Sequence, residues 1–219
     1  MKVYFIPEKV QVLIFDVDST LYTNSEYAKE QIDGQIRHFA QMRKISADEA
    51  RGLFSDFRKN WANTHSGQKI SLGNLLTYFG VSIEESIFWR KKLINPAEFL
   101  KPDARLFKTL SALKEKFYLI CVTNNPVLTA RKTLEALGVS GLIPEIIGLD
   151  TTLKSKPARE IFELAAKTAG TALNKKIKFE ECLSIGDRYD IDLDLPLKLG
   201  MGAILVDGVK DVYLLPEVL

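Results

Sequence analysis

The sequence predicts a doubly wound α/β fold, a parallel sheet with helices on both faces, broken by one all-helical insertion. Three observations carry this expectation. Short, predominantly apolar runs recur along the chain, as strands buried on both faces of a parallel sheet require. Between them lie segments whose apolar residues return at three-four spacing, the signature of helices with one buried face. Residues 24–100 hold helical spacing alone, with no convincing strand.

The first strand is Val10–Phe15, and similar runs follow at Tyr118–Val122, Glu145–Gly148, Glu181–Ile185 and Ala203–Val206. Val3–Phe5 offers a further strand, which Pro7 argues against. Among the helices, Ala104–Lys116 puts Leu106, Leu110 and Leu113 on one stripe. The next takes Asn125 as its N-cap and Pro126 as its first helical residue, encloses Leu134 and Leu137, and stops at Gly138. Pro157 opens another, with Ile161, Leu164 and Ala165 inside and Gly170 as its end. A last short helix runs from about Ile191 to Leu199, although Pro196 is a poor interior residue.

The insertion begins with a stripe of Ile32, Ile36, Phe39 and Met42. Ser46-Ala-Asp-Glu49 reads as a capping box, followed by Ala50, Leu53, Phe54, Phe57 and Trp61 at helical spacing. Leu72, Leu75, Leu76 and Phe79 end at Gly80, and Ser82-Ile-Glu-Glu85 is a second capping box. The polar stretch Asn60–Ser71 is the one long loop expected here. Residues 1–23 and 101–219 then form the α/β part and residues 24–100 the helical insertion.

Composition excludes several classes. With 46% apolar residues and a net charge of +2, the chain has ample material for a core and is not disordered. Its longest apolar run, Phe117–Val122, is six residues, against the ~20 that span a bilayer, so no membrane partner is expected. Charge is even: residues 24–100 hold 11 Lys/Arg and 9 Asp/Glu, and the remainder 19 of each. That is not the basic footprint of a nucleic-acid binder. Lys2, Glu8 and Lys9 around four apolar residues make no export signal. Cys121 and Cys182 lie within strand-like runs and read as buried free thiols, so a reducing, cytoplasmic location is expected.

The chemistry sits where strands end. The first strand runs into Phe15-Asp16-Val17-Asp18-Ser19-Thr20-Leu21-Tyr22. In a doubly wound sheet the carboxyl ends of the strands line the ligand crevice. Two carboxylates two residues apart can share a site there, hold a hard cation through oxygen, and divide nucleophile from acid. The second strand ends in Thr123-Asn124-Asn125-Pro126, a hydroxyl and amides at a helix start that suit a phosphate oxygen. Lys154-Ser155-Lys156-Pro157 precedes the next helix, and Ser184-Ile185-Gly186-Asp187 closes the fourth strand, with Asp190, Asp192 and Asp194 after it. Each motif alone has a bland reading: a polar strand exit, an ordinary cap, a surface lysine, solvated acids.

The ordered set is more specific. From Val10 to about Asp207 the chain resembles the haloacid dehalogenase superfamily, with a Rossmann-like core and a helical cap. The resemblance implies that Asp16 is a nucleophile forming an aspartyl-phosphate and Asp18 the general acid/base. It implies that Thr123, Asn124 and Lys156 bind phosphate. It further implies Mg²⁺ on the Asp16 carboxylate, the Asp18 backbone carbonyl and Asp187, with Asp192, five residues on, as the second acid in preference to Asp190. Dehalogenating relatives lack the second aspartate, so Asp18 argues for phosphate over halide.

Phe15–Tyr22 followed by a cap containing Phe57, Trp61 and Leu72 looks most like the pyrimidine 5′-nucleotidase group, although Trp61-Ala62 stands where that group tends to have a tyrosine–glycine pair. Trp61 and His65 are the insertion's candidate substrate contacts, set against the plainer reading of a core aromatic and a solvated histidine. The expected activity is Mg²⁺-dependent hydrolysis of a small phosphorylated metabolite, a nucleoside 5′-monophosphate among the candidates, by a monomer or small homo-oligomer. A phosphomutase or phosphotransferase of the same superfamily shares these motifs. A phospho-accepting receiver domain would carry adjacent acids on its first strand and no helical insertion, neither of which is found here.

Overall fold

The computed structural model describes residues 1–67 and 70–219. Gln68 and Lys69, within the expected loop Asn60–Ser71, lie outside the described residues. The chain divides into two compact units, Met1–Asn24 with Pro96–Leu219, and Ser25–Asn95.

The larger unit is built on one sheet. Its strands are β1 (Lys2–Phe5), β2 (Val12–Phe15), β3 (Tyr118–Val122), β4 (Glu145–Ile147), β5 (Cys182–Gly186) and β6 (Gly202–Leu205). Their order is β1-β6-β5-β2-β3-β4. All neighbours are parallel except β1, which runs antiparallel to β6 along the edge. Pro7 follows β1, so the edge strand forms despite it. β2 is buried along its whole length, which is why its sequence is continuously apolar rather than alternating.

The smaller unit holds α1 (Ser25–Arg43), α2 (Ala47–Thr64), α3 (Leu72–Tyr78) and α4 (Ile83–Leu93). It has its own core of Ile36, Phe39, Phe54, Leu75, Leu76 and Trp89. The capping box at α2 is complete: Glu49 N–H donates to Ser46 Oγ at 3.1 Å, and Ser46 N–H to Glu49 Oε2 at 2.7 Å. At α4 the Ser82 hydroxyl accepts from the Glu85 N–H.

Three expected core positions are wrong. Ile32, Met42 and Leu53 are 45%, 48% and 47% exposed. The buried seam of α1 is rotated to Gln35, Ile36, Phe39 and Ala40. Gln35 tolerates burial because its Nε2 donates to the Gln31 carbonyl and its Oε1 accepts from Arg90 Nε. The long loop is also shorter than expected, since α2 continues through Thr64.

In the larger unit, α5 (Ala104–Lys114) packs against β3. α6 (Val127–Ala136) follows β3, α7 (Leu149–Thr152) follows β4, and α8 (Arg159–Ala172) lies over β2, β3 and β4. α8 buries Ile161, Phe162, Ala165, Ala166 and Ala169 against Val12, Ile14, Ile120 and Val122. Each large side chain so buried contributes ~1.5–3 kcal/mol. α8 begins at Arg159, not at Pro157, and the Lys156–Pro157 peptide bond is cis. The expected helix 191–199 is a π-helical turn, Tyr189–Leu193, running into α9 (Asp194–Lys198). Cys121 and Cys182 are buried free thiols, and no helix of the described residues is long and apolar enough to cross a membrane.

Candidate active site

Sheet register assembles the site. Phe15 of β2 pairs with Cys121 of β3 on one side and Ile185 of β5 on the other. Asp16 comes one residue after that pairing and Thr123 and Asp187 two residues after it, so the three emerge within one residue of the same level. β3 and β4 lie on one side of β2, and β5 and β6 on the other. This reversal is where open α/β sheets bind ligands.

Asp16 prolongs the ladder through its N–H to the Ile185 carbonyl at 2.9 Å. The turn behind it closes with Leu21 N–H to Val17 O at 3.0 Å, and Ser19 within it adopts φ 60°. The chain thus folds back so that Thr20 Oγ1 stands 3.4 Å from Asp16 Oδ2 and the Tyr22 hydroxyl donates to Asp18 Oδ1 at 2.6 Å.

After β3, Thr123 is buried, and its Oγ1 accepts the Asn125 N–H at 3.1 Å. No acceptor for that hydroxyl is found among the described residues, so it remains able to donate to a ligand. Asn124 Oδ1 accepts the Lys156 N–H at 2.7 Å, which ties the end of β3 to the loop before α8. Asn125 corrects the sequence expectation. α6 starts at Val127 with Pro126 as cap, and the Val127 N–H donates to Asp150 Oδ1 at 2.8 Å. With that duty taken by Asp150, the Asn125 side chain is not a cap, and its Nδ2 donates to Asp18 Oδ2 at 2.8 Å. Gly148 lets β4 brace this loop, since a Cβ there would lie 2.7 Å from the Asn125 carbonyl.

Lys156 is not a surface lysine. It is buried and its Nζ donates to Asp16 Oδ1 at 2.6 Å and to the Val122 carbonyl at 2.8 Å. Asp192 Oδ1 lies 2.7 Å from the same nitrogen, at an angle too poor for a hydrogen bond. Asp192 comes from the π-helical turn, where its Oδ2 accepts the Arg188 N–H at 3.0 Å and its carbonyl accepts from Ser184 Oγ at 2.8 Å. A Cβ on Gly186 would come within 2.5 Å of the Asp192 side chain, so only glycine permits this approach. Asp190 is exposed, and Asp194 pairs with Lys198 at 2.6 Å on the surface.

Burial raises Asp16 above the usual carboxylate range against the pull of Lys156, and Asp192 and Asp18 add to the rise. Asp187 is pushed up to about 6, by burial first and Asp192 second. Burial alone would lower Lys156, but Asp16 and Asp192 outweigh it and hold the ammonium above its ordinary value. The group is short of positive charge. Asp16, Asp187 and Asp192 each offer an oxygen, all within 4.8 Å of one another. Asp187 Oδ1 is buried and accepts no hydrogen bond among the described residues, with Arg188 Nε 4.0 Å away. Ligand oxygens around octahedral Mg²⁺ at ~2.0–2.1 Å stand roughly 3–4 Å apart, so this donor set fits a hard cation. The Asp18 carboxylate is turned instead to Tyr22 and Asn125.

Trp61 and His65 lie in the smaller unit, near the end of α2. Their rings stack at 3.6 Å and 9°, and Phe57 and Tyr78 lie beside Trp61. Trp61 is half-buried and His65 exposed, with its Nδ1 3.0 Å from the Trp61 carbonyl oxygen.

Fold and site together define a hydrolase built on a doubly wound sheet, with paired acids at the switch point and a helical unit inserted after both of them, between β2 and β3. The chain belongs to the haloacid dehalogenase-like hydrolases, whose family model matches residues 10–195. It is 26% identical over 204 residues to the glyceraldehyde 3-phosphate phosphatase of Methanopyrus kandleri, covering 90% of this chain and 84% of that one. Its fold is similar to that of a magnesium-bound hydrolase of the same family from Bacillus subtilis, with a TM-score of 0.60, 16% identity, and coverage of 96% of this chain and 100% of that one. It is also similar to a 2-haloacid dehalogenase from Pseudomonas syringae, with a TM-score of 0.56, 15% identity, and coverage of 95% and 97%. The same fold thus serves proteins named for phosphate esters and for organic halides, and the choice between them rests on side chains.

Proposed function

We propose that the protein is a Mg²⁺-dependent phosphatase of small phosphomonoesters that works through an aspartyl-phosphate on Asp16. The observation that carries this reading is the second carboxylate, Asp18, held by Tyr22 and Asn125 beside an Asp16 that is tied to a buried lysine. Expulsion of a halide needs no proton donor, whereas expulsion of an alkoxide does.

Asp16 attacks phosphorus as its carboxylate, and the bond to the leaving oxygen breaks. Asp18 gives its proton to that oxygen and becomes a carboxylate. Water then attacks the aspartyl-phosphate while Asp18 takes a proton back, releasing phosphate and restoring both acids. Lys156 neutralises Asp16 and a phosphoryl oxygen, and the Thr123 hydroxyl donates to another. The carboxylates of Asp16 and Asp187 and the Asp18 carbonyl would hold Mg²⁺, with Asp192 alongside. Bound there, the ion supplies the remaining positive charge for the phosphoryl group.

The relative named for glyceraldehyde 3-phosphate favours a compact, three-carbon ester as substrate, and the helical unit Ser25–Asn95 is read as the selector of the leaving group. The test is release of inorganic phosphate from a panel of triose phosphates, glycolytic esters and nucleoside 5′-monophosphates, with Mg²⁺ and with chelator. Mg²⁺-dependent release from at least one small ester is expected. Full activity in chelator, or transfer of the phosphoryl group without free phosphate, would contradict the reading.

A further inference from the structure

We infer that Tyr22 and Asn125 are the positioning residues of the acid/base, holding the Asp18 carboxyl in one orientation; this rests on the phosphatase reading above. The two oxygens of Asp18 meet different partners. Oδ2 receives the Asn125 Nδ2–H at 2.8 Å and Oδ1 receives the Tyr22 hydroxyl at 2.6 Å. These two bonds reach different oxygens from opposite elements, so the carboxyl plane is held against rotation about the Cβ–Cγ bond.

Neither partner is there by accident of packing. Tyr22 is 3% exposed, so its hydroxyl would be costly to bury without a partner. Asn125 is 9% exposed and held by its N–H to Thr123 Oγ1 and its carbonyl to the Leu149 N–H. Asp18 is thus oriented from β3 and from its own turn at once. The advantage follows from geometry, since general-acid catalysis needs the proton within hydrogen-bond reach of the leaving oxygen. A carboxyl free to rotate presents it only part of the time.

The test compares kcat/KM, which reports the steps up to departure of the leaving group, for an alkyl ester (glycerol 3-phosphate) and an aryl ester (p-nitrophenyl phosphate) with Mg²⁺ present. The aryl leaving group departs with little proton assistance. Tyr22→Phe keeps the buried ring, and Asn125→Ala removes the other donor. Each is expected to lower the alkyl-to-aryl ratio of kcat/KM by about tenfold or more, part of the ~10²–10⁴ that general-acid catalysis supplies. A purely structural defect would lower both esters by one factor. Equal losses on both esters in both variants, or an unchanged ratio in Tyr22→Phe, would overturn the proposal. Asp18→Asn separates it from the reading beneath it. If that variant keeps the wild-type ratio, Asp18 is not the acid, and the phosphatase mechanism itself is wrong.

Discussion

Lys156 joins the two buried carboxylates Asp16 and Asp192 through one ammonium. Removing it as Lys156→Ala leaves both without their cation. Breaking such a buried pair costs on the order of 3 kcal/mol. Denaturant melts should show a loss of that size in metal-free protein, and phosphate release should fall by a common factor on every ester. A variant that lost activity on one ester alone would place Lys156 with the selector. The approach of Asp16 and Asp187 was legible in the sequence because a parallel sheet brings its strand ends close together, and Lys156 reaches Asp16 from the loop before α8. Tyr22 and Asn125 were not legible, because their partners follow from a turn and from a remote cap. Asn125 beside Pro126 reads as the start of a helix until Asp150, 23 positions away from Val127 in sequence, is seen to take that role. A second asparagine where one cap suffices was the signal that a spare amide was present.

The helices show the same division between what is local and what is not. The Ser46–Glu49 box was readable because both of its bonds join residues three apart, and Ser46→Ala should cost about 1 kcal/mol in thermal or denaturant unfolding. An unchanged stability would mean that α2 frays at no cost. The face that α1 buries was misread because Ile32 and Met42 fit the period as well as Ile36 and Phe39 do. What decides is tertiary packing: α1 lies against α2 and α4, and Gln35 in that seam accepts from Arg90 of α4. The π-helical turn at Tyr189–Leu193 has no local sequence signal, yet it carries Asp192 against Gly186. Gly186→Ala should displace Asp192, and metal affinity should fall with it; a variant with normal Mg²⁺ affinity would show that the close approach is dispensable. At the end of α2, Trp61→Ala and His65→Ala should reorder preference among natural esters and spare a small generic one. Uniform scaling of all substrates would make the stacked pair a folding element only.

Across the whole molecule, the acid group links stability to pH and to metal. Asp187 has a folded-state pKa near 6 against its ordinary 3.8, because burial disfavours its charge. Between those values the folded state holds a proton that the unfolded state has lost. Stability of the metal-free protein therefore falls as pH rises through that window. Mg²⁺ held by the ionised carboxylates, as proposed, would offset the loss. The rise in Tm on adding Mg²⁺ should be clearly larger at about pH 7.5 than at about pH 5, and equal shifts at both would place the metal elsewhere. The central claim, that Asp16 is phosphorylated during turnover, has one direct measurement. Enzyme turning over p-nitrophenyl phosphate with Mg²⁺ is quenched rapidly in acid, digested, and mapped by mass spectrometry. The account predicts one added phosphoryl group on the peptide containing Asp16, absent in Asp16→Asn, which also makes no product. Phosphate release without modification of that peptide, or from Asp16→Asn at the wild-type rate, would contradict it.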